Sequence, residues 1–224
     1  MSEEKILQEI EKLKFELGRQ KAVNEIQQVM AHYEAVHLNP AYIARSIECF
    51  ADWRDDISAD VSDWGCFFGY EAVKGVYPKA IVIVHLDNGY NPDLYDWNLG
   101  ILEQYGTRYD MVGMSLYPYW AATNGFTDAD KVIADCAANI QHVYERFGKE
   151  SMIVETGAEV NLEDPVKMAE SVRQMQEIVK MARNTPHNHG LFYWNPCCRP
   201  RGYRLGAFDM EGRPTGIMDA FVAK

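Results

Sequence analysis

The feature that most constrains this chain is an alternation. From residue 80 onward, short apolar runs at 80–87, 109–118, 151–157 and 190–196 are separated by helical patterns at 93–105, 127–147 and 165–183, with a closing helical stretch at 215–222. Apolar runs bounded by polar residues read as strands buried on both faces. Strands separated by helices of ten or more residues join as right-handed βαβ units of a parallel sheet. A complete eight-stranded barrel takes about 250 residues, and four strands within 224 residues make half of one. The expected fold class is therefore α/β, a partial (half) TIM-type (β/α) barrel with parallel strands behind a mainly helical segment.

That leading segment has a different period. Ile6, Leu7, Ile10, Leu13, Phe15 and Leu17 fall largely three and four apart with Glu and Lys between them, the pattern of an amphipathic helix. A second helical run carries Val23, Ile26, Val29, Met30 and Tyr33 and ends before Asn39-Pro40, and a third, 41–50, presents Ile43, Ile47 and Phe50 on one face. Residues 57–64 then alternate as a half-exposed strand. Three helices and a strand ending in Asp63-Trp64-Gly65 resemble the start of a SnoaL-like domain, a cone-shaped fold of the nuclear-transport-factor type. The resemblance covers about the first 75 residues, carried by Glu25-Ile26-Gln27-Gln28-Val29-Met30-Ala31-His32-Tyr33-Glu34 and by residues 57–65. It implies a small-molecule binder or cyclase with a pocket near Tyr33 and Trp64, although the long curved sheet of that family has no counterpart here.

Charge narrows the partners. A formal charge of −11 disfavours nucleic acid and anionic membrane, both of which need clustered Lys and Arg. No stretch approaches the roughly 20 apolar residues of a membrane span. Residues 1–17 are charged where a signal peptide would have an apolar core, so the chain as written reads as cytosolic. The five cysteines, Cys49, Cys66, Cys136, Cys197 and Cys198, match no zinc spacing, and neighbouring Cys197 and Cys198 read as reduced loop residues. His187 and His189 lack a third ligand at metal spacing. No metal and no cofactor is expected.

Chemistry is expected where the strands end. The four runs close on His85 and Asp87 before Asn88-Gly89; on Ser115, Tyr117 and Pro118-Tyr119-Trp120; on Glu155-Thr156-Gly157; and on Tyr193-Trp194-Asn195-Pro196. In parallel barrels, groups at the carboxyl ends of strands converge on one site. A carboxylate, a tyrosine, a histidine and a tryptophan together make a sugar site, where aromatic faces stack on pyranose rings and the carboxylate works on the anomeric carbon. Trp97 and Trp120 read as packing residues.

Val84-His85-Leu86-Asp87-Asn88-Gly89, Tyr109-Asp110-Met111-Val112-Gly113-Met114-Ser115-Leu116-Tyr117-Pro118-Tyr119-Trp120, Ile153-Val154-Glu155-Thr156-Gly157 and Gly190-Leu191-Phe192-Tyr193-Trp194-Asn195-Pro196 follow one another in the order found in a known family. They resemble the second half of glycoside hydrolase family 53, the endo-β-1,4-galactanases that act on arabinogalactan. Leu205-Gly206-Ala207-Phe208-Asp209 fits as well. The resemblance implies a retaining, two-carboxylate mechanism. It makes Glu155 the nucleophile, Tyr117 the hydrogen-bond partner that orients it, Trp194 the platform under the sugar, and His85 and Asp87 cleft-lining residues. The polysaccharide, galactan or arabinogalactan, is the implied partner.

Two positions depart from the family pattern. Its acid/base is a Glu after an Asn at the end of the fourth strand; Asn24-Glu25 falls in the helical pattern of residues 21–33 and reads as an exposed helix pair, leaving the acid/base missing. Asn195 stands where the family commonly has Glu, which bears on any loop-bound calcium. The organisation expected is residues 1–75 as a SnoaL-like fragment and 76–224 as the C-terminal half of a family 53 barrel. Three functions follow: a galactanase, a catalytically inactive sugar-binding or assembly fragment that self-associates through open half-barrel edges, and a SnoaL-like binder or cyclase.

Overall fold

A computed structural model describes residues 65–104 and 106–222. Four parallel strands form its sheet: β1 (Ile83–Leu86), β2 (Met111–Leu116), β3 (Glu150–Thr156) and β4 (Asn188–Leu191), paired in chain order. Helices α2 (Pro92–Gln104), α4 (Ala129–Phe147) and α5 (Pro165–Asn184) make the crossovers; α1 (Gly65–Val76) precedes β1, and a short α3 (Pro118–Thr123) follows β2. A 3-10 helix, Gly216–Phe221, closes the described chain. This is the partial barrel of α/β class that the alternation requires. The helices and strand that sequence pattern places in residues 1–64, and with them the SnoaL-like assignment, lie outside the described residues.

The chain divides into two units, one holding Ile83–Gln104 and Tyr109–Lys224, the other Met1–Val82 and Tyr105–Arg108. In the latter, α1 ends two residues before Pro78, as expected when proline disfavours helical geometry in the residue preceding it. Arg108 pairs with Glu71 and lies over the ring of Tyr70, 4.9 Å from its centroid.

Within the sheet-bearing unit the helix boundaries follow local chemistry. Asp128 caps α4 by accepting from the Lys131 amide, and Gly148, at φ 63°, ends it in the left-handed conformation. Asp164 caps α5 by accepting from the amides of Val166 and Lys167, with Pro165 in the first turn, where it lacks only an amide that would go unbonded. The buried stripes Val132, Ile133, Cys136, Ile140, Val143 on α4 and Met175, Ile178, Val179, Ala182 on α5 cover one face of the sheet. That face carries Val112, Met114, Leu116 and Ile153, all fully buried. Removing one such side chain, Leu116 for example, costs about 2–5 kcal/mol.

The opposite face holds Ile83 and His85 of β1, Gly113 and Ser115 of β2, and Met152 of β3. Gly113 is required there: a Cβ would lie 2.8 Å from Val154 Cγ2 and 2.9 Å from Ile83 Cγ2. Between β2 and β3 the register then slips. Met114 pairs with Ile153 but Ser115 pairs with Glu155, so Val154 is one residue too many on β3. A bulge of this kind reverses the alternation of the residues after it. It turns Glu155 to the face of Ser115 and sends Thr156 into the buried layer, where its hydroxyl donates to the Leu116 carbonyl at 2.7 Å.

The last apolar run differs from expectation. Strand β4 spans Asn188–Leu191, not 190–196, although the amides of Phe192 and Trp194 still bond to the carbonyls of Ile153 and Thr156 at 2.8 and 2.9 Å. Asn195, at φ 48°, turns the chain away. Asparagine tolerates that left-handed region better than most residues.

Candidate active site

At the carboxyl ends of the strands a cleft of about 400 Å³ is lined by His85, Asp87, Ser115, Tyr117, Trp120, Glu155, Trp194 and Tyr203. All five residues expected at the site, Glu155, His85, Asp87, Tyr117 and Trp194, meet there. Strands β1 to β3 deliver their terminal side chains directly; Trp194 arrives on the segment after β4 that remains bonded to β3.

Glu155 is the centre of the polar set. Its Oε2 accepts from Tyr117 Oη at 3.3 Å and from Ser115 Oγ at 3.5 Å, while Ser115 Oγ lies 2.8 Å from His85 Nε2. Tyr117 and Ser115 are buried, at 7% and 4% exposure. Burial first, then the neighbouring Tyr203 and the Glu155 carboxylate, push the Tyr117 phenol far above its ordinary range, so it stays a neutral donor. Tyr203, whose hydroxyl pairs with that of Tyr117, is raised as well, chiefly by burial.

Asp87 has a different setting. Its Oδ1 accepts from the Asn88 amide at 2.7 Å and its Oδ2 from Asn88 Nδ2 at 3.4 Å, and Asn88 sits at φ 49° with its Oδ1 held by Tyr90 Oη. The carboxylate thus serves the turn that carries it, the usual habit of Asp in a tight turn. Gly89 lets that turn settle on β2, since a Cβ there would stand 3.0 Å from the Ser115 carbonyl oxygen.

Two indoles flank the carboxylate. Trp194 is 46% exposed and Trp120 43%. Trp120 is therefore not the packing residue that its run of aromatics suggested: α3 begins at Pro118 and carries it out to the cleft rim. Tyr203 is the residue that sequence pattern missed. It comes from the loop after Asn195, anchored by Tyr193 Oη donating to the Gly206 carbonyl at 2.6 Å and by the Ala207 amide on the Pro196 carbonyl. Gly157 admits that loop, because a Cβ there would lie 2.8 Å from the Leu205 carbonyl oxygen.

Elsewhere the described surface has two larger grooves, about 560 and 550 Å³, against the helices. In the first, Asp130 and Glu177 are engaged by Arg173 and Lys180, and in the second, Glu170 and Glu159 are engaged by Arg173 and Arg204. His187 and His189 lie away from the cleft and bracket Glu150 at the start of β3. Among the described residues no group of three His, Cys, Asp or Glu is placed to hold a metal ion, and no helix is long and apolar enough to cross a membrane.

The model of glycosyl hydrolase family 53 matches residues 24–213. An arabinogalactan endo-β-1,4-galactanase of Humicola insolens is 28% identical over 138 residues, 53% of this chain and 39% of that protein. Among solved structures, a fungal β-1,4-galactanase superposes with a TM-score of 0.57 at 22% identity, covering 70% of this chain and 53% of the other. The family 53 catalytic domain of Ignisphaera aggregans gives 0.56 at 20% identity, covering 69% and 49%. The chain thus spans about two fifths of the length of its curated relatives and half of the solved ones.

Proposed function

The chain belongs to glycosyl hydrolase family 53, and from that premise we propose that it is the C-terminal part of a retaining endo-β-1,4-galactanase whose nucleophile is Glu155. One observation carries the reading: a strand-end carboxylate has one oxygen engaged by two hydroxyls, beside two exposed indoles. With Oε2 engaged by Ser115 and Tyr117, Oε1 takes no side-chain donor among the described residues and is the oxygen that attacks the anomeric carbon. Tyr117 then orients the carboxylate, Trp194 and Trp120 stack on the galactosyl rings, and His85 and Asp87 border the subsite.

Retention needs a second carboxyl about 5–5.5 Å from the first to protonate the leaving oxygen. Among the described lining residues the other carboxylate is Asp87, and it is turned onto Asn88. The family match begins at residue 24 and so takes in Asn24-Glu25, which lies outside the described residues and within the segment assigned from sequence to the SnoaL-like fragment. Glu25 is accordingly the residue to test as general acid, a role typically worth about 10²- to 10⁴-fold.

The experiment measures reducing ends released from β-1,4-galactan. Wild type is expected to be active, Glu155→Gln to lose on the order of 10³-fold or more, and Glu25→Gln to lose turnover on galactan but not on an aryl galactoside whose leaving group needs no proton. Equal release by wild type and Glu155→Gln would overturn the assignment. A wild type that retains galactan without cleaving it would leave the inactive sugar-binding reading.

A further inference from the structure

The geometry points to His85 as a positioning residue that acts on Glu155 through Ser115, not as a group that holds the sugar. It rests on the reading of Glu155 as nucleophile and goes beyond it by reassigning a cleft-lining histidine. A carboxylate only accepts hydrogen bonds, so the proton between Ser115 Oγ and Glu155 Oε2 belongs to the serine. Ser115 has a single hydroxyl proton. Its 2.8 Å contact with His85 Nε2 is therefore one in which the ring donates and the serine oxygen accepts. The ring's Nε2 carries hydrogen, and its contact fixes the direction in which the Ser115 hydroxyl points.

Register supports the chain of contacts. His85 pairs with Gly113 across β1 and β2, two residues before Ser115, and the bulge at Val154 sets Ser115 opposite Glu155. Gly113 itself faces Val154 and Ile83, and the imidazole reaches past it to Ser115 two residues on. Ser115 is buried whereas His85 is exposed. At 3.5 Å the serine–carboxylate bond is long for O–H···O, and such contacts commonly tighten only when a ligand fills the site. With Tyr117 approaching the same oxygen, the described residues bind one carboxylate oxygen and place no side-chain donor on the other.

The test is labelling by 2,4-dinitrophenyl 2-deoxy-2-fluoro-β-galactoside, whose leaving group departs without a proton. In that step Glu155 Oε1 bonds to the anomeric carbon, the bond to the phenolic oxygen breaks, and the electron pair leaves with dinitrophenolate. The product is a glycosyl ester on Glu155, read by peptide mass spectrometry. Ser115→Ala and His85→Ala are each expected to slow the limiting labelling rate about tenfold with the half-saturating concentration unchanged. The double variant should be no slower than Ser115→Ala alone, because the histidine has nothing left to act through. His85→Gln, which keeps an N–H donor, should recover most of the rate, and at this exposed position it also serves if Ser115→Ala fails to fold.

Two results overturn the inference while leaving the nucleophile in place: rate losses that multiply in the double variant, or a His85→Ala chain whose half-saturation rises at an unchanged limiting rate. A wild type that takes no label at Glu155 removes the nucleophile reading and this inference together.

Discussion

Glu155 and Glu150 stand on one strand, five residues apart, and are held in opposite ways. Glu155, at the carboxyl end of β3, meets the hydroxyls of Ser115 on β2 and of Tyr117 just after it, and faces a cleft with exposed indoles. Glu150, at the amino end, is bracketed from the β4 side by His187 Nδ1 at 3.1 Å and His189 Nε2 at 3.2 Å, and His187 stacks on Tyr144 with ring centroids 3.4 Å apart. The hydrogen bond from His187 comes first among the causes that hold the Glu150 carboxyl below its ordinary value. Both Glu150 oxygens are committed, whereas among the described residues both side-chain donors to Glu155 stand on Oε2. A carboxylate with both oxygens bound is a fastening between strands; one with an uncommitted oxygen in a cleft is available for chemistry.

That contrast can be broken at either end. The largest effect is expected at Glu155→Gln, where galactan cleavage falls on the order of 10³-fold or more while the unfolding temperature stays close to wild type; a retained rate would erase the distinction between the two carboxylates. Tyr117→Phe comes next. It removes one of the two donors to Oε2 and is expected to lower kcat about tenfold, with KM for galactan little changed; a change confined to KM would move Tyr117 from the carboxylate to the sugar. Gly157→Ala probes the packing that brings the Tyr203 loop over the site: its Cβ would lie 2.8 Å from the Leu205 carbonyl oxygen and 3.3 Å from Tyr117 Cε1. It should destabilise the fold by about 1–3 kcal/mol, read by denaturant unfolding.

The smallest effect is expected at Glu150→Gln. The carboxylate is 38% exposed, so solvent screening limits its worth to roughly a few tenths of a kcal/mol. Its sign is nonetheless determined. A carboxyl lowered in the folded state adds stability above its unfolded value, near 4.5, and that contribution fades as pH falls through the lower folded value. The difference in unfolding temperature between wild type and Glu150→Gln should therefore be present at about pH 6 and shrink as the pH falls below 4.5 toward the lower folded value. Galactan cleavage by Glu150→Gln near neutral pH should match wild type, since the residue lies at the far end of the strand.

Much of the site was legible because its residues obey a simple rule: parallel strands that end together place their last side chains together. His85, Asp87, Tyr117 and Glu155 were found by position alone, and Trp194 by the apolar run that carries it. Trp120 was misread because an aromatic following Tyr-Pro-Tyr carries no mark of which side of a one-and-a-half-turn helix it will occupy. Tyr203 was invisible because it enters from a loop whose path depends on the fit of Gly157 against Leu205 and of Gly206 against Cys198.

Ser115 lies between these cases, noticed as a strand-end residue but without a role until its distances to His85 and Glu155 were known. By itself the sequence determined the order of the described strands and helices, the family and the strand end at which Glu155 stands, since hydrophobic period and motif order are properties of the linear chain. Only the tertiary structure decided which way that carboxylate faces. The apolar run Met152-Ile153-Val154 shows no break in pattern, yet the extra residue at Val154 turns Glu155 toward Ser115 and Thr156 toward the core. A register slip is a relation between two strands, and it acquires meaning only when β3 is laid against β2.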